Sequence, residues 1–354
     1  MLKRLRFWIL RVLRLYYKSM GEGTKKVGIL YWGSRGGGKL LTEQLIGQAR
    51  DQGVPTAIFL RPIKAQAASD YVSSLSFLMW IRERRRVMLE CVNLNIQVMI
   101  IPMASPWDIF LGKKLQKSGI TVIRLIHDAT PHPGDRFPPR FWIKALCFDS
   151  NKIVALSEYV ARQLTLRNYA PQEKIVTGKL PGVTTTQINE PMRTLPRQNF
   201  LFLGRGRKHK GLELLLAAWP SVGDSESRLT VAGEGHSLTL KESRMSHIDR
   251  WLSDSEIINL ILASDVVVLP YIEASQSGII PLATSLNRPV VITPVGGLAE
   301  QVRDRLTGII SLSLEVDDLS EAMNRARVEN FDFDIDVFGG KATQTLLEIC
   351  LDPS

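Results

Sequence analysis

Residues 251–302 read WLSDSEIINLILASDVVVLPYIEASQSGIIPLATSLNRPVVITPVGGLAEQV, and the hydrophobic period changes several times along them. Asp254–Ala263 has apolar residues at helical spacing behind an Asp/Ser cap and an acidic first turn, so it reads as a helix. Val266–Pro270 and Pro289–Thr293 are short apolar runs bounded by turn residues, and read as strands. A helix leading into a strand, and that strand leading through a polar turn towards another, is the grammar of a parallel sheet.

The same alternation extends in both directions. Phe200–Leu203 and Arg228–Ala232 read as strands, and Gly211–Trp219 and Asp318–Arg327 as helices. In the first half, Lys26–Trp32 runs into the glycine loop GSRGGG, and KLLTEQLIGQARDQG follows as a helix stopped at Gly53. Thr56–Leu60, Ile96–Ile101, Thr121–Ile126 and Lys152–Leu156 are further strands. Leu180–Asn199, with three prolines, reads as a linker. A chain of 354 residues exceeds one compact core, and 45% hydrophobic content supports two. The expected organisation is a basic helix over 1–20, a first domain over 21–185 and a second over 186–335. A C-terminal helix over 336–354 is expected to cross back to the first domain. Two such α/β sheets leave a cleft at their strand C-termini, where ligands bind.

The net charge of +10 divides unevenly. Residues 1–180 hold 29 basic and 12 acidic side chains; residues 181–354 hold 16 and 23. A uniformly basic nucleic-acid binder would not show this split, and no nucleic-acid motif is present. The first 18 residues carry Lys3, Arg4, Arg6, Arg11, Arg14 and Lys18 and no acid. On a helix most of these form one arc, opposite Leu5, Trp8, Ile9, Val12, Leu13 and Tyr16, the pattern of a helix lying on an anionic bilayer. A helix packed on the protein's own core is the alternative. The uncharged runs are too short for a span or a signal peptide. Cys91, Cys147 and Cys350 suggest neither disulfides nor a zinc site, and a reducing cytosol is expected.

Gly204-Arg-Gly-Arg-Lys-His-Lys-Gly211 lies between a strand and a helix and gathers Arg205, Arg207, Lys208 and Lys210 within an otherwise acidic half. Cations on such a loop suit a diphosphate, with a solvated basic loop as the plain alternative. Taken in order with LTVAGEG (229–235), the quoted 251–302 stretch and Leu306-Thr-Gly308, this loop resembles the C-terminal domain of retaining GT-B glycosyltransferases of the large group 1 family, glycosyltransferase family four. HDATPHPGD (127–135) resembles the first-domain histidine loop of that family.

That resemblance implies an α/β GT-B fold, two Rossmann-like domains facing a central cleft, to which the residue pattern of 1–20 adds an N-terminal amphipathic helix. It implies that Arg205 and Lys210 hold the donor diphosphate and that Glu273 meets the donor sugar. Backbone amides of Gln276, Ser277 and Gly278 approach the phosphates, and His127 faces the sugar across the cleft. These four side chains, His127, Glu273, Arg205 and Lys210, are the expected catalytic set. Gly36, Gly37, Gly204, Gly233 and Gly235 join the donor site as close-approach glycines. Val295-Gly296-Gly297 is a following turn, with Glu300 beginning its helix. The family's second Glu would fall at Pro281 or Leu282, neither of which is acidic. The implied activity is retaining transfer from a nucleotide sugar to a glycan or lipid-linked glycan in surface polysaccharide synthesis, without metal or cofactor. A non-catalytic nucleotide-sugar-binding or scaffolding subunit is the alternative. Residues 1–18 would hold the protein to an anionic membrane on its cytoplasmic side.

Several other patterns read as bland. Gly33–Lys39 approaches a P-loop but has Leu40 where Ser or Thr is needed. Asp332–Asp336 contains Asp-x-Asp near the chain end and reads as a solvated turn. His127-Asp128 with His132 and Asp135 lacks the further ligands of a metal site. Asp128 reads as a base, as an orienting partner for His127 or as a turn cap. Arg82–Arg86 reads as a solvated helix face or as part of a membrane-facing patch.

Overall fold

The structure is a computed structural model. It describes residues 25–33, 37–60, 77–103, 105, 108, 110–131, 140–180, 194–236, 238, 242–333 and 345–352. The proposed helix over 1–20, Gly36, His132, Asp135, most of the expected linker and Asp334–Asp336 lie outside them.

The first domain is a six-stranded parallel sheet in the order β2-β1-β3-β4-β5-β6. Its strands are β1 Val27–Tyr31, β2 Thr56–Leu60, β3 Val98–Ile101, β4 Thr121–Ile126, β5 Lys152–Ala155 and β6 Ile175–Thr177. The connecting helices are α1 Gly37–Asp51, α2 Phe77–Leu94, α3 Leu111–Lys117, α4 Arg140–Phe148 and α5 Glu158–Leu166. β1, β3 and β5 are buried along nearly their whole length because helices cover both faces of the sheet. Leu41, Leu45 and Ala49 of α1 pack on one face, and Val87, Cys91, Leu111 and Leu115 of α2 and α3 belong to a separate cluster.

The second domain repeats the plan in the order β12-β11-β10-β7-β8-β9, again parallel throughout. It contains β7 Asn199–Leu203, α6 Leu212–Ala218, β8 Arg228–Ala232, β9 Met245–Ile248, α7 Asp254–Ala263 and β10 Val266–Leu269. α8 Ile279–Ser285, β11 Val290–Ile292, β12 Gly308–Ile310 and α9 Val316–Val328 complete it. α7 begins with a full capping box between Ser253 and Glu256. The last helix, α10 Leu346–Leu351, packs Leu346, Leu347 and Cys350 into the first-domain cluster beside Leu41, Leu45 and Val154. Lys152 Nζ donates to the Asp352 carbonyl at 2.8 Å.

The strand order reverses between β1 and β3 in the first sheet and between β7 and β10 in the second. Loops leaving the C-terminal ends of strands at such a reversal diverge and open a crevice. The two crevice edges face each other: Ser157, after β5, meets Ser275, after β10, and Lys39, after β1, meets Asp254, after β9.

Candidate functional site

The loop after β7 runs against two neighbours. On one side Gly206 N–H donates to the Glu234 carbonyl at 2.8 Å, and a Cβ on Gly206 would stand 1.8 Å from the Gly235 carbonyl oxygen. Gly233, at φ 137°, would likewise set a Cβ 1.9 Å from the Gly204 carbonyl oxygen. These glycines let two backbones cross, which is a packing role. His236 Nε2 donates to the Gly204 carbonyl at 2.7 Å and fixes the start of the loop. On the other side Gly211, at φ 67°, would bring a Cβ to 1.7 Å from the Pro270 carbonyl oxygen, and Ile272 N–H donates to the His209 carbonyl at 2.9 Å. The basic loop and the loop after β10 are therefore one unit, built at the β7/β10 reversal.

Within this unit Arg205, Arg207 and Lys208 are exposed and Lys210 is half-buried. Among the described residues no carboxylate pairs with any of the four. Lys210 Nζ instead lies 3.8 Å above the ring of Tyr271, which is buried and anchored through its carbonyl by the Thr293 hydroxyl. Stacking costs the ammonium none of its charge and holds it in place. The loop thus brings four cations to the ligand position of the fold, with Lys210 held on a ring.

The loop after β10 contributes fewer donors than the sequence suggests. The Ser277 amide donates to Gln301 Oε1 at 2.7 Å, and Gln301 Nε2 returns a bond to the Ser277 carbonyl at 3.1 Å. Ile279 N–H donates to the Ser277 hydroxyl at 3.3 Å. Of the expected trio, the amides of Gln276 and Gly278 have no hydrogen-bond partner among the described residues, and Gln301 is the residue that fixes the turn. A side chain on Gly278 or Gly37 would meet no protein atom within 4 Å, so both face open space. Gly204 would place a Cβ at ordinary contact distance, 3.5 Å from Phe202. Glu273 is exposed beside the His209 carbonyl. Pro281 and Leu282 are buried in the first turn of α8.

Across the cleft, His127 immediately follows β4, with Nε2 3.0 Å from Asp128 Oδ2; both are partly exposed. Beneath this edge lies a buried ion pair. Arg124 Nη1 donates to Asp108 Oδ2 at 3.0 Å, Trp32 Nε1 donates to Oδ1 at 2.7 Å, and neither charged side chain is exposed. Burial raises the Asp108 carboxyl despite the Arg124 guanidinium. The pair ties the loops after β1 and β3 to β4. No group of three His, Cys, Asp or Glu among the described residues is placed to hold a metal ion.

The two domains are joined at the rim by contacts absent from the sequence reading. Glu300 sits mid-way in the one-turn 3-10 helix Ala299–Gln301, with no α-helix following, and reaches the other domain. Its oxygens accept from Glu158 N–H at 2.7 Å and Tyr159 N–H at 2.8 Å, so it caps α5, with Arg162 Nη2 at 3.3 Å. Ser157, the N-cap of α5, donates to the Ser275 carbonyl at 3.1 Å. Gly296 and Gly297 let their turn lie against the Ala274 and Ser275 carbonyls, and a Cβ on Gly297 would also stand 2.9 Å from Ser157 Oγ across the interface. On the opposite rim Lys39 Nζ stands 3.2 Å from Asp254, whose hydrogen bond holds the ammonium above its ordinary value.

A pair of facing doubly wound domains with a cationic loop at the second switch point defines a GT-B architecture. Residues 197–327 match the model of the family described as Glycosyl transferases group 1. The chain is 28% identical over 190 residues to a GDP-mannose:glycolipid 4-beta-D-mannosyltransferase of Xanthomonas campestris pv. campestris, covering 50% of this chain and 51% of that protein. It thus spans about half the length of the curated relative it matches. Among solved structures it resembles a glycosyltransferase from Rickettsia africae ESF-5, with TM-score 0.61, 16% identity, and 86% and 88% of the two chains covered. It also resembles HepE of Anabaena in complex with UDP, with TM-score 0.59, 12% identity, and 85% and 89% covered. These structures establish the shared fold.

Proposed function

We propose that the protein is a glycosyltransferase that moves a sugar from a nucleoside diphosphate sugar to a hydroxyl of a glycan or lipid-linked glycan. The observation that carries this reading is the basic loop within the segment that matches the family, where Lys210 is seated on Tyr271 and neither it nor Arg205, nearby in sequence, pairs with a carboxylate among the described residues. The leaving nucleoside diphosphate develops negative charge, and cations already in place stabilise it without reorganising. Arg205 and Lys210 take the diphosphate, aided by the amides of Gln276 and Gly278, and Glu273 and His127 meet the sugar from opposite sides.

The relative named for GDP-mannose and a glycolipid makes that donor and acceptor class the first to assay, with UDP- and ADP-sugars beside them. The proposal includes polysaccharide or glycolipid assembly at the cytoplasmic face of a membrane, fixed cations in place of a metal, and retention at the anomeric carbon. Sugar transfer surviving EDTA tests the second of these. The anomeric configuration of the product, read by NMR, tests the third. An inverted product would give the His127–Asp128 pair the role of base towards the acceptor hydroxyl. The apolar pair Pro281 and Leu282 favours a second reading, a binding subunit without turnover; donor-induced thermal stabilisation with no transfer to any lipid-linked acceptor would establish it.

A further inference from the structure

α4 carries Phe141 and Phe148 one heptad apart, and both rings are two-thirds exposed, at 69% and 66%. They border a groove of about 670 Å³ lined with Lys144, Tyr169 and Pro171. Leu166 at the end of α5 is 75% exposed, and Asn168, just beyond it, also lines the groove. Isolated apolar residues on a surface need no explanation, but aromatic rings gathered at one groove do.

The charge on the two helices that carry these rings has one sign, with Glu173 beyond Pro171 as the exposed carboxylate nearest in sequence to the groove's lining. α3 and α4 carry Lys113, Lys114, Lys117, Arg140 and Lys144 and no carboxylate. Lys113 Nζ lies 4.2 Å from the centre of the Phe148 ring. The acid that follows α4, Asp149, is buried and accepts from the Gly112 and Lys113 amides. Aromatic rings ringed by lysines on flexible stems match an interface where rings enter the acyl boundary and ammonium groups reach phosphates. Protein–protein interfaces are instead depleted in lysine.

We propose that this α3–α4 face docks on an anionic phospholipid bilayer, as a contact separate from residues 1–18. Among the described residues no helix is long and apolar enough to cross a membrane. It rests on the lipid-linked acceptor reading for its purpose, since a docked first domain meets its acceptor at the bilayer. Vesicle binding is measured without either sugar substrate, so failure of docking and failure of transfer are separate results.

The test is co-sedimentation of the full chain with phosphatidylglycerol–phosphatidylcholine vesicles and with phosphatidylcholine alone. Wild type should bind the anionic vesicles and lose binding as salt rises. The double variant Phe141→Glu, Phe148→Glu should bind at least about tenfold more weakly, equivalent to ~1.4 kcal/mol, with an unchanged thermal midpoint. Lys113→Glu, Lys144→Glu should act in the same direction, which covers the case of a double-Phe variant that misfolds. Undiminished binding by a folded variant of either kind overturns the proposal and leaves membrane contact to residues 1–18. Absence of wild-type binding to anionic vesicles also overturns it, in favour of an acidic protein partner for the face.

Discussion

Glu300→Ala removes the carboxylate that joins the domains at one rim of the cleft. The side chain accepts two backbone N–H bonds at 2.7 and 2.8 Å, from Glu158 and Tyr159. Its third contact, Arg162, is 68% exposed and contributes little. Loss of a capping acceptor costs about 0.5–2 kcal/mol, and Ser157 still caps Val160, which places the expected loss near ~1–2 kcal/mol. Each ~1.4 kcal/mol is tenfold in an opening equilibrium. Hydrogen exchange at the Glu158 and Tyr159 amides should therefore accelerate by roughly 5- to 30-fold. Amides in the strand core, such as Val154, should keep their protection, because the hydrogen bonds of Glu300 go to α5 and not to β5. Unchanged exchange at Tyr159 would refute the clamp, and uniform acceleration across the first domain would show a global rather than a local loss.

Three further outcomes follow from particular contacts. Asp108→Ala leaves the Arg124 guanidinium buried without its partner and should destabilise by about 3–5 kcal/mol in urea unfolding, with a loss under ~1 kcal/mol counting against the buried pair. Burial pushes the Cys91, Cys147 and Cys350 thiols up to about 12, so a thiol reagent should label none of them in native protein at pH 8. Their unfolded thiols ionise near ~8.5, so the unfolded state binds fewer protons above that pH and stability should fall as pH rises from there towards 12. Gly211→Ala must hold φ 67° and strike the Pro270 carbonyl, costing at least ~1–2 kcal/mol from the backbone alone, whereas Gly204→Ala should leave the thermal midpoint nearly unchanged.

The fold was legible where strands are largely apolar runs of four or more residues. Thr56–Leu60, Thr121–Ile126 and Arg228–Ala232 occur at their expected limits, and Val266–Leu269 differs by one residue, because apolar runs between turn residues leave little choice. Ile175–Thr177, Met245–Ile248 and Gly308–Ile310 escaped the reading. All three are edge strands of three or four residues, and Ile175–Thr177 and Met245–Ile248 are half-exposed or exposed throughout, so no long apolar run marks them. The basic loop was visible because four cations in six residues stand out in an acidic half. Its neighbours were not. Gln301 takes the Ser277 amide, and Glu300 caps a helix 142 positions earlier, contacts between residues that no local pattern connects. Glycines gave the least reliable signal: Gly206 and Gly233 serve backbone crossing, while Gly37 and Gly278 face open space, and sequence alone cannot separate the two uses.

The central claim, that the cations after β7 neutralise a departing nucleoside diphosphate, is tested most directly by single-turnover sugar transfer with wild type, Arg205→Ala and Lys210→Ala. GDP-mannose is the first donor, followed by the UDP- and ADP-sugars. The account predicts transfer by wild type to a glycan or lipid-linked acceptor, and rates lower by about 10²- to 10³-fold in each variant, or ~2.7–4 kcal/mol, with the fold intact. Near-wild-type rates in both variants would contradict it.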